Sequence, residues 1–210
     1  MIEAPNLREV KKHMVQHPNA ICCILFAPKF SQLGFEDIVL RFGYLDERTG
    51  EDIHFYCAGY GGYWNQSNVP DMVDIGVAKY QDGTRIPWAF SQILFAKFVD
   101  EMEAETTWRY SGGSEIIVLN PKEGFSNCII FKLDTMIKDE IIDYPGQLFE
   151  ALIQHARRKR QEIDKFSLKE IAKISGDEAV NSILALLPKP LENLWNIWKK
   201  GKHYTLVNIS

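Results

Sequence analysis

Residues 52–65 carry the side chains best suited to handling a ligand. A strand-like run, Asp-Ile-His-Phe-Tyr-Cys-Ala, leads straight into Gly-Tyr-Gly-Gly-Tyr-Trp-Asn. Glycine lets backbone come close to a bound group, and flat aromatic faces beside it suit a ring-shaped ligand or a protein partner. If the strand runs parallel to the earlier apolar run at 20–27, the loop at 59–65 lies past its carboxyl end. Open α/β sheets place ligands there, and Ala27-Pro28-Lys29 leaves the same edge. The chemistry this predicts is nucleotide handling by a hydrolase or transferase. Lys29 would meet an anionic group, Tyr60 or Trp64 would stack on a base, and the amides of Gly61 and Gly62 would approach a phosphate, with Asn65 completing the loop. His54, on the strand, is the histidine to test as an acid–base group. The spacing Gly59-Tyr-Gly-Gly matches neither the P-loop nor the dinucleotide fingerprint, so the competing expectation is a tight turn whose aromatics plug the core.

Other reactive residues point to structure. Cys22, Cys23, Cys57 and Cys128 all lie inside apolar runs with no zinc or redox spacing, as free buried thiols of a cytosolic protein do. Cys57 faces the opposite side of its strand from His54, which makes a Cys–His pair from these two geometrically poor. The histidines at 13, 17, 54, 155 and 203 are scattered along the chain, and no metal ligand is assigned. Asp71, Asp74 and the acids around Arg48-Thr49-Gly50 read as helix caps and solvated turns. Glu115 opens a strand but lacks the lysine two residues later that a metal-dependent nuclease of the restriction type requires; it joins that group.

The elements that must position these residues are readable from periodicity. Leu7, Val10, Met14 and Val15 predict a helix over 6–16, and 20–27 is apolar on both faces, as a central strand is. Residues 34–48 fit a helix through Phe35, Ile38, Val39, Phe42 and Leu45, or a strand pairing with 52–58; the helix is preferred and makes 20–58 a βαβ unit. A hairpin with an Asp-Gly turn is predicted at 75–88. Pro87 should then open a helix reaching Glu105, carrying Phe90, Ile93, Leu94, Phe98 and Met102. Two strands follow at 115–119 and 128–133, then a long helix at 146–165.

From residue 166 the chain reads as short helices at 168–174, 177–187 and 190–200, then a strand-like end at 203–209. Ser167-Leu-Lys-Glu-Ile-Ala-Lys-Ile-Ser-Gly, with Ala172 and Gly176 in place, resembles the DNA-binding helix-turn-helix family over about twenty residues. Asp177 and Glu178 open the would-be recognition helix, where carboxylates repel phosphates, and Ser182 stands at a usually apolar position. A plain helical hairpin is the reading. Arg157, Arg158, Lys159 and Arg160 fan around the end of the long helix and offer nucleic acid a weaker handle than a stripe would. Leu191, Leu194, Trp195 and Trp198 form an apolar aromatic segment which, with Tyr204, suits a docking surface for a protein partner.

Composition agrees with an ordinary folded protein. The chain has 210 residues, 46% hydrophobic and 25% charged, with a net charge of −4 that gives no global pull toward nucleic acid or anionic membrane. No apolar run approaches the roughly 18 residues of a spanning helix, and the first residues show no signal peptide. The expected fold is α/β: a mixed, partly parallel sheet flanked by helices over 1–165, with a helical extension over 166–210. Two functions are expected from this. One is a non-enzymatic module of a larger cytoplasmic assembly, docking through the aromatic extension. The other is the nucleotide-handling protein built on loop 59–65. No cofactor is assigned.

Overall fold

The run at 20–27 forms strand β2 (Ile21–Phe26), and its two-sided apolar pattern places it inside a sheet. The structure, a computed structural model, describes residues 2–29, 42–79, 82–163, 176–187 and 200–210. Strand β3 (Ile53–Ala58) runs parallel to β2, with Cys22 opposite His54 and Ile24 opposite Tyr56. Strand β1 (Ile2–Ala4) adds to β3, also in parallel. On the other side of β2, strands β7 (Glu115–Leu119), β8 (Cys128–Lys132) and β9 (Tyr204–Val207) continue the sheet antiparallel. The order β1-β3-β2-β7-β8-β9 is the mixed, partly parallel sheet that the sequence predicts.

Parallel pairing of β2 and β3 demands a crossover. Helix α2 (Phe42–Thr49) lies on it, so the helical reading of 34–48 holds where the chain is described. Between β3 and the next helix the chain builds a second sheet from β4 (Tyr60–Gly62), β5 (Val73–Lys79) and β6 (Arg85–Phe90), ordered β4-β6-β5. The Asp-Gly turn joins β5 to β6, with the Thr84 amide donating to the Asp82 carboxylate at 2.8 Å.

Pro87 does not open the following helix. It lies within β6, next to the irregularity in the β5–β6 ladder between Asp74 and Gly76. Capping chemistry decides the start instead: Ser91 Oγ accepts from the Leu94 amide at 3.0 Å. The Asp71 carboxylate accepts from both Ser91 Oγ at 2.7 Å and the Ile93 amide at 2.9 Å. Helix α3 then runs Gln92–Glu105, and Phe90 belongs to the strand before it.

Strand alternation assigns the two faces. Ile24, Phe26, His54 and Tyr56 point toward α1 (Leu7–Gln16) and α3, where Phe26 meets Phe98 with ring centroids 5.7 Å apart. Phe55 points the other way, onto Phe149 of helix α5 (Pro145–Ile163) at 5.3 Å. The short helix α4 (Leu133–Lys138) follows β8 directly, and α6 (Gly176–Leu184) packs beside α5 with Val180 and Ile183 buried. The last strand is pinned by His203, whose Nε2 lies 2.5 Å from the Asp139 carboxylate. His203 and Lys202 together hold that carboxyl down at about 2.

The turn from β3 into β4 is tightly packed. Gly59 has φ +76°, and a Cβ there would stand 2.6 Å from Phe95 Cβ. Gly59→Ala is expected to destabilise the protein by about 2 kcal/mol or more in urea denaturation. Gly112→Ala should cost only about 1 kcal/mol, because φ is +84° there with nothing within 4 Å. Equal losses at the two positions would show that the contact with Phe95 does not matter.

Candidate functional site

Glu115 is the first residue of β7, and β2 pairing puts it beside Phe26, the last residue of β2. It therefore stands at the carboxyl edge of the parallel strands, where open α/β sheets take ligands. A cavity of about 280 Å³ opens there. Its floor is one face of the antiparallel half of the sheet: Glu115, Ile130, Lys132, Thr205 and Val207. The registers Glu115↔Lys132 and Ile130↔Thr205 bring these side chains to the same side. Its rim is the segment after α3, with Trp108, Arg109 and Ser111, closed by Asn208 and Ile209. The rim is tied down by the Thr107 amide donating to Ile209 O at 2.9 Å.

Glu115 dominates the electrostatics. It is 2% exposed. Its Oε2 accepts from Ser111 Oγ at 2.8 Å, whereas Oε1 is buried with no hydrogen-bond partner. Burial pushes the carboxyl above its usual range, against the opposing pull of Ser111, Trp108 and Lys132. Tyr110 Oη is a second buried atom without a hydrogen bond. Burial, then the nearby carboxylates of Glu115 and Asp134, push its phenol up, so it stays protonated and able to donate. Arg109 Nη1 donates to the carbonyls of Glu103, Thr106 and Trp108, which fixes the guanidinium at the rim. The result is a sunken acid in a small cleft whose lining also includes the cations Arg109 and Lys132. Glu115 is thus no solvated turn acid. The signal for it was a carboxylate heading a strand, Glu-Ile-Ile-Val-Leu, that is otherwise apolar on both faces.

Loop 59–65 is placed differently from a ligand cradle. Tyr60 is 1% exposed and its hydroxyl donates to Ala27 O at 2.6 Å, so it plugs the core. Gly61 and Gly62 lie in β4, paired to Ala89 and Trp88. The Gly62 amide donates to the Glu3 carboxylate at 3.0 Å, which sets a negative group where a phosphate would sit. Trp64 lies over Gly61, its indole only 2.0 Å from where a Cβ would stand. Asn65 closes an exposed turn by accepting from the Asn68 amide at 3.1 Å. Lys29 is half-buried just beyond β2.

The other predicted residues scatter. His54 lies at the opposite end of the sheet, its ring 5.0 Å from His13 and 4.8 Å from His17. Arg157 donates to Arg48 O at 2.6 Å, as a cation at a helix C-terminus does. Arg158 is exposed, Lys159 is half-buried, and the Arg160 side chain lies outside the described residues. So do Leu191, Leu194, Trp195 and Trp198, and residues 167–175 of the helix-turn-helix echo. Within its described part, Ser182 Oγ lies 3.1 Å from His155 Nδ1, which accounts for a hydroxyl at that position. Tyr204 is 8% exposed on its own sheet, against Phe131. Asp74, like Asp82, closes a local turn, accepting from the Gly76 amide at 2.8 Å, while Asp71 caps helix α3. All four cysteines are buried, and burial pushes every thiol up, Cys57 and Cys128 to about 12, which leaves none poised as a thiolate.

No family model, curated protein or solved structure matches this chain.

The raised Glu115 carboxyl has a signed consequence for stability. The folded state keeps the proton to higher pH than the unfolded chain, whose value is near 4.5. Stability is therefore lost as pH rises from there through the folded value. Glu115→Gln should remove that loss: its melting temperature relative to wild type should be higher at pH 7 than at pH 4. A difference that does not change with pH would contradict the assignment.

Proposed function

We propose that this protein is a binding module for a small zwitterionic molecule, held in the cleft at the carboxyl edge of β2. An amino group of the ligand would meet Glu115 Oε1, and its acid group would lie toward Arg109 and Lys132. The observation that carries this reading is the buried carboxyl of Glu115, a residue lining the cavity, whose Oε1 makes no close hydrogen bond. A carboxylate taken out of water is retained at a cost unless something compensates it. An ammonium supplies the charge and the hydrogen bonds together. The cavity of about 280 Å³ suits a molecule of amino-acid size. Nucleotide binding is less well supported, because the phosphate would have to sit beside either Glu115 or Glu3.

A thermal-shift panel of the standard amino acids and of ω-amino acids tests the proposal. A true ligand at about 100 times its Kd stabilises by roughly 2.7 kcal/mol, which for a chain of this length shifts the melting temperature by several degrees. Glu115→Gln and Lys132→Met should each lose most of that shift. The proposal is abandoned if no zwitterion shifts the wild type, or if the Glu115→Gln protein responds as the wild type does.

A further inference from the structure

We propose that His13, His17 and His54 form a binding site for one divalent transition-metal ion, with zinc the best fit. Residues 13 and 17 are one turn apart and share a helical face. His17 is the C-cap of α1. Strand alternation turns His54 and Tyr56 of β3 toward that same helix. The rings of His13 and His17 stack at 4.3 Å, and His54 meets both edge-on. One ring nitrogen from each residue lies within 4.8 Å of the other two. Among the described residues this is the one group of histidine, cysteine or acidic side chains gathered so closely.

Two further features point to a ligand. The Nε2 of His54 is buried and has no hydrogen-bond partner. Tyr56 Oη lies 2.8 Å from His13 Nδ1. When Nδ1–H donates to that oxygen, the lone pair is left on Nε2, which is how outer groups orient metal-ligating histidines.

The donor set selects the ion. Imidazole nitrogen suits zinc, copper and nickel, while calcium and magnesium want oxygen. No carboxylate or thiolate joins the group. Cys22 pairs with His54 across the ladder, but its thiol is buried and pushed well up. Zinc–nitrogen bonds of about 2.0–2.1 Å bring donors to roughly 3.4 Å of one another in a tetrahedron, so small side-chain adjustments would close the group onto the ion. Three protein ligands leave a fourth position for water or an exogenous donor. The site lies at the opposite end of the sheet from the Glu115 cleft and does not depend on it.

Equilibrium dialysis of the untagged full chain against zinc, followed by elemental analysis, tests this. One zinc per chain is expected. His17→Asn, at the end of the helix, should weaken binding at least tenfold while the circular dichroism spectrum stays unchanged. Tyr56→Phe should weaken it by about 10-fold or more, and Glu115→Gln should leave it intact. Cobalt loaded in place of zinc should give the intense visible bands of a tetrahedral site. The site is refuted if zinc is not retained, if His17→Asn binds like the wild type, or if magnesium displaces zinc at equal concentration.

Discussion

The two ladders of β2 are the constraint from which the rest of the structure follows. Cys22, Cys23, Ile24, Leu25 and Phe26 are each at most 1% exposed, so neither face of this strand can be turned to water. The strand must be flanked and covered on both sides, and its partners are β3 in parallel and β7 antiparallel. Register then becomes obligatory, because a slip of one residue would send every side chain of a partner to the opposite face. One ladder sets His54 beside Cys22 at one end; the other sets Glu115 beside Phe26 at the far end. Both candidate sites are products of a single packing requirement.

The helical layer explains why one of those ends is open. Helices α1 and α3 cover the parallel strands, where Leu7 donates its amide to Glu101 at 2.7 Å and Phe98 reaches Phe26. That layer does not continue over β8 and β9, where Lys132, Thr205 and Val207 stay partly exposed. Trp108 fills the boundary by lying 4.6 Å from Phe26, and the segment beyond it bends back over the uncovered strands. The cleft is the gap between a helical layer that stops and a sheet that goes on. Its floor is rigid because every floor residue belongs to a ladder.

Sequence periodicity revealed most of this architecture, since two-sided apolar strands and amphipathic helices carry their environment in their spacing. The parallel pairing of β2 and β3 follows from reading 34–48 as a crossover helix, which α2 bears out over its described part. Local cues failed where competing chemistry was nearby. Pro87 resembles a helix opener, yet Ser91 and Asp71 supply the caps four residues on and sixteen before. Tyr60 resembles a stacking platform, but whether it faces a cleft or the core depends on β4 pairing with β6, which is non-local. The histidine cluster was invisible for the same reason: His13 and His17 are one helical turn apart, but His54 joins them only through the sheet. Glu115 was the nearest to legible, as a lone carboxylate heading an apolar strand.

The distribution of unsatisfied polar atoms separates the two sites from the general core. Among the described residues, His54 Nε2, Tyr110 Oη and Glu115 Oε1 are buried side-chain atoms without a hydrogen bond. They lie at the histidine cluster or beside the cleft. Each such atom costs about 1–3 kcal/mol, against a net stability of only about 5–15 kcal/mol for a typical domain. Apolar replacements of the same shape would relieve that cost: phenylalanine for Tyr110, or an aliphatic residue for Glu115. A fold that keeps polar atoms at two ends of one sheet face, where strand pairing leaves room for something else to meet them, is best explained by ligands that complete those hydrogen bonds.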